Sequence, residues 1–160
     1  MFDAEKRALE LALKGERVAR CIQKKYLPEQ EIVWYIHGGV AFKPYQDFML
    51  TDLFSSSGNH HFYDAWARVV DRYFYDPHFF VQPQKSIVHE NVRLIPMKSK
   101  DNDLVVMKYV PYADIKPWLG KKWRYVYVPE EYSWMGGVFL ILNTIHHVPE
   151  AFITPFRKEE

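Results

Sequence analysis

The sequence predicts an α+β fold: two amphipathic helices in the N-terminal half, then antiparallel β hairpins and extended Pro-rich segments in the C-terminal half. Three observations point that way. Apolar residues recur at helical spacing from Ala4 to Ile22 and again from Tyr63 to Phe74. Eight of the ten prolines lie from Pro77 onward, where a fixed φ and a missing N–H work against long helices. Aliphatic and aromatic runs in that half are separated by polar loops, as strands are.

The first helix is expected over Asp3 to Tyr26. Ala4, Ala8, Leu11, Gly15, Val18 and Ile22 form one narrow stripe, with Lys6, Arg7, Glu10, Lys14, Arg17 and Arg20 on the other side. Asp3 is the expected N-cap, and Pro28 stops the helix after Leu27. The stripe is made of small residues, so a neighbour packed on it comes close. That neighbour is either the chain's own core or a partner's helix in a coiled-coil-like seam, with residues 1–27 as the docking segment.

Ile32 to Ile36 reads as a short strand ended by Gly38-Gly39. Tyr45 to Phe54 has the length of a short helix, and Ser55 to Gly58 is a loop. The second long helix starts at Asn59, carries Tyr63, Trp66, Ala67, Val70 and Phe74 on one face, and ends by Asp76 because Pro77 follows. Ser86 to Pro96 and Leu104 to Pro111 are strand-like and flank the polar run from Lys98 to Asp103, which predicts a β hairpin. Trp123 to Val128 is a third strand, its aromatic residues alternating with others. Residues 132–149 contain no Asp, Glu, Lys or Arg; they are expected as a buried core element, with contact to a membrane as the alternative.

At 160 residues the chain is long enough for one domain with a genuine core. Lys and Arg number 21 against 20 Asp and Glu, a balance that speaks against bulk nucleic acid as the main partner. The single Cys21 cannot form an intrachain disulfide, and none of the four asparagines stands in a glycosylation sequon. Both fit an intracellular or mitochondrial setting. Asp3, Glu5 and Glu10 interrupt any signal-peptide pattern.

Candidate chemistry is thin. His60 and Asp64 share a helix face, with His78 just past the helix end, and His plus carboxylate suits zinc or iron; their spacing matches no established site. The serines lack a nucleophile elbow and the glycine pairs lack a phosphate loop. No cofactor is therefore expected. Trp123, Tyr125 and Tyr127 fall on one strand face beside Lys121, Lys122 and Arg124, a pattern that can stack single-stranded RNA bases or meet a protein.

Eleven Phe, eleven Tyr and five Trp are more rings than one core of this size is expected to hide. The expected role is therefore a non-catalytic structural or accessory subunit of a multiprotein assembly, in its most specific form a membrane-associated mitochondrial respiratory or ATP synthase complex. Expected partner-binding residues are Ala4, Ala8, Leu11, Val18, Ile22, Trp123, Tyr125, Tyr127 and Trp134. An RNA-contacting subunit and a small metal-dependent enzyme around His60 and Asp64 are the alternatives.

Overall fold

A computed structural model describes residues 2–24, 31–46, 55–56, 79–99, 108–128, 137–145 and 149–156. The chain divides into two compact units, Met1–Arg68 and Val69–Glu160. Among the described residues the strands form mostly antiparallel pairs, and strand residues outnumber helical residues in both units. This corrects the expected α+β class with two long N-terminal helices.

In the first unit, α1 runs only from Asp3 to Leu13, not to Tyr26. Phe2 stands at the N-cap position without a side-chain cap, and Asp3 is the first helical residue. Gly15 ends the helix. It adopts φ +86°, its N–H reaches the Ala12 carbonyl, and the Glu16 N–H reaches the Leu11 carbonyl at 2.9 Å. Those two reversed bonds form a Schellman motif, which satisfies carbonyls the last turn leaves open. A glycine counted as part of the stripe is thus the residue that stops it. No atom lies within 4 Å of a Cβ built on Gly15, so only backbone strain opposes a side chain there. Gly15→Ala is expected to cost about 1 kcal/mol of stability, read as a lowered urea midpoint with unchanged slope.

Beyond the turn the chain becomes β1 (Ala19–Lys24), which pairs antiparallel with β2 (Glu31–His37), Cys21 opposite Trp34. Gly38, at φ +52°, opens the two-residue turn that joins β2 to β3 (Val40–Phe42). Ser55–Ser56, β4, lies parallel to the start of β1. Tyr35 meets Phe42 edge-on at 5.7 Å across the ladder, and Lys43 sits over the Trp34 ring. Trp34 and Tyr35 are neighbours on opposite strand faces, yet both are buried, so this strand is covered on both sides.

In the second unit the strand order is β11 (Pro149–Ile153), β10 (Val138–Asn143), β9 (Trp123–Val128), β5 (Phe80–Pro83), β7 (Val92–Ser99), β6 (Ile87–His89), with β8 (Lys108–Pro111) also on β7. Every pairing is antiparallel. All six residues of β10 are buried, both faces alike, which accounts for a run without charges. The expected strand from Ser86 to Pro96 is two strands. Glu90 and Asn91 take φ +48° and +67° and close a two-residue hairpin between β6 and β7. Asparagine tolerates that left-handed conformation better than most residues, and this turn type suits the twist of the strands it joins.

Leu94 pairs with both Ile87 and Pro111, and Met97 with both Pro83 and Lys108. Strands β5 and β6 therefore share one edge of β7, and β8 takes the other. Between them, residues 84–86 stand opposite only Ile95 and Pro96, one residue too many for a regular ladder. This is a β-bulge. The Gln84 N–H bonds to the Pro96 carbonyl at 2.8 Å, so the bulged side is the one on which Pro96 has no N–H to offer. A proline is tolerated inside β7 for that reason.

Candidate interaction surface

The strip expected to meet a partner protein, or in the alternative to stack bases, is turned inward. Trp123, Tyr125 and Tyr127 share one face of β9 and all are buried, at 9% exposure or less. Across from them β10 supplies Asn143, Ile141 and Phe139. Tyr127 packs on Phe139 with ring centroids 4.8 Å apart. Ahead of β9, the short helix α2 (Tyr112–Ile115) and a following 3-10 turn (Lys116–Trp118) bring Ile115 and Trp118 into the core. The Tyr125 hydroxyl donates to the Trp118 carbonyl, tying that turn to the sheet.

Burial pushes the Tyr125 phenol up to about 12, because a phenolate would lose its water. The unfolded chain would release the same proton near 10. Between those values the folded state binds more protons, so stability falls as pH rises. Tyr125→Phe is expected to remove that alkaline loss, at a cost of about 1 kcal/mol near neutral pH for the missing hydrogen bond. Denaturation midpoints of both proteins across pH 9–12 check it; parallel curves would contradict it.

The small-residue stripe is divided. Ala4 and Ala8 are buried on α1 and Leu11 is half-buried. Val18 is buried just before β1, and Ile22 is half-buried within it, so neither belongs to the helix. The stripe therefore does not form one continuous seam. Trp134, His60, Asp64 and His78 lie outside the described residues, as does the expected helix from Asn59 to Asp76. Within the uncharged window, residues 138–143 are the buried strand β10; among the described residues no helix is long and apolar enough to cross a membrane. Among the described residues no three His, Cys, Asp or Glu side chains converge as metal ligands would.

Of the sixteen described rings, nine are buried and six are half-buried. Tyr45 is the one exposed ring among the described residues, and Phe2 packs against it at 4.7 Å. The Gln46 N–H nearby donates to Oε1 of Glu5, whose carboxylate is buried in the first unit.

Among the described residues the other exposed large apolar side chains are aliphatic, and three of them cluster on the β6–β7 arm. Val88 is 73% exposed, Ile87 42% and Val92 37%. Register places Ile87 and Val92 on one face of the arm, with Leu94 buried farther along the same face. Val88 is on the other face, opposite Arg93. The Arg93 guanidinium lies 3.8 Å from the centroid of the Tyr112 ring, and its Nε donates to Ser86 Oγ at 3.1 Å. Lys116 Nζ is 6.0 Å from the same ring. At the tip, His89 lies 3.8 Å from Glu90. Sequence reasoning missed this arm because residues 86–96 read as one strand, and without the turn its exposed edge does not exist.

No protein-family model, curated protein or solved structure matches the chain.

Proposed function

We propose that the chain is a non-catalytic subunit of a multiprotein assembly and works by binding other proteins. One observation carries this reading: a hairpin arm at a sheet edge exposes Ile87, Val88 and Val92 to water on both of its faces. An open edge bearing aliphatic side chains invites association unless charge, proline or a covering element protects it, and proteins usually protect such edges. The aromatic excess does not carry the reading: of the sixteen described rings nine are buried, Trp123, Tyr125 and Tyr127 among them, six are half-buried and Tyr45 is exposed. The RNA alternative loses its stacking row for the same reason.

The respiratory or ATP synthase form of the expectation depends on lipid contact through residues 132–149. The described strand in that window is buried, so the proposal stops at the assembly. Native mass analysis of the tagged chain, expressed at its natural level and purified gently from its own cells, tests the reading. A stoichiometric complex with other proteins is expected. A clean monomer would overturn it.

A further inference from the structure

We infer that the β6–β7 arm binds an extended acidic segment of a partner protein, which adds to the sheet as a strand along β6; this rests on the subunit reading above. The backbone supplies the first half of the argument. His89 and Val92 flank the two-residue turn and bond to each other, so Val88 turns its N–H and carbonyl away from β7. Among the described residues no strand pairs with that outer edge. An extended peptide supplies the missing partners, and its alternate side chains fall on the Val88 face.

Charge supplies the second half. Residues 84–99 and 108–119 carry five Lys and Arg against two acids, Glu90 and Asp114. On the Val88 face, Arg93 is held by Ser86 and by the Tyr112 ring, with Lys116 beside that ring. The Nε bond fixes the plane of the guanidinium, and among the described residues its two terminal nitrogens have no hydrogen-bond partner, so they can grip a carboxylate in a fork. Because the group is already oriented, little side-chain freedom is lost when the acid arrives. A peptide alternating apolar and acidic residues meets both demands: carboxylates on the Val88 face toward Arg93, backbone toward Val88, with Lys116 adding positive charge beyond Arg93.

The test uses the full chain and a fluorescent short peptide of alternating valine and glutamate, with an alternating valine and lysine peptide as control. The acidic peptide is expected to raise anisotropy in a saturable, salt-weakened manner, and the basic one is not. Arg93→Glu is expected to weaken binding at least roughly tenfold, and Lys116→Glu to weaken it by a smaller factor. Val88→Pro removes the outward N–H and is expected to abolish binding; thermal melting of each variant shows that it folds. Equal binding of both peptides, or binding indifferent to the two charge reversals, overturns the proposal. So does self-association of the chain that Val88→Pro removes while peptide binding is absent. If the native complex is found and these variants enter it normally, strand addition fails and the subunit reading stands. If the chain is a monomer in its cells, the subunit reading fails whatever the peptide does.

Discussion

Replacing Phe139 by alanine is expected to lower the stability of the second unit by about 3–5 kcal/mol, a large part of the ~5–15 kcal/mol available to a typical domain. Phe139 is fully buried in β10, opposite Tyr127 on one side and Ile153 on the other. Its ring fills space that backbone-anchored strands on both sides cannot close, so the deletion leaves a cavity rather than a relaxed core. Urea unfolding followed by tryptophan fluorescence measures the effect, since Trp118 and Trp123 are buried in the same unit. A loss below about 1 kcal/mol would mean that the site collapses freely.

The second large effect concerns the residue before that strand. A methyl group on Gly137 would overlap the Tyr127 hydroxyl and stand 2.9 Å from its Cζ. Gly137 has no positive φ, so what it provides is space rather than an unusual backbone. Gly137→Ala is expected to cost roughly 1–3 kcal/mol, because a ring packed between strands cannot step aside cheaply. The same substitution in a Tyr127→Ala background is expected to cost little more than that background alone. Additive losses in this double-mutant cycle would show that the clash is not the cause.

Much of the second unit was legible in sequence. The alternation from Trp123 to Val128 has the same bounds as β9, and the charge-free run contains β10, whose two covered faces leave no place for a charge. Ile32 to Ile36 lies inside β2. What was not legible depends on backbone signs. Val18 and Ile22 continue the spacing of Ala4, Ala8 and Leu11 by coincidence, and only a left-handed Gly15 reveals that the helix is over. The Glu90–Asn91 turn carries no glycine, so the strongest hairpin signal is missing. The arm's exposed aliphatic side chains were hidden by that gap. The inward orientation of the β9 rings was hidden by a different one: alternation says which residues share a face, not which face meets water.

The surplus residue at positions 84–86 divides the labour of a single long ribbon. Its near half pairs with β9 and buries Val81, while its far half, β6, ends the strand order beyond the bulge. Sequence drift at the tip therefore need not disturb the interior packing, and the exposed side chains there can vary on an unchanged foundation.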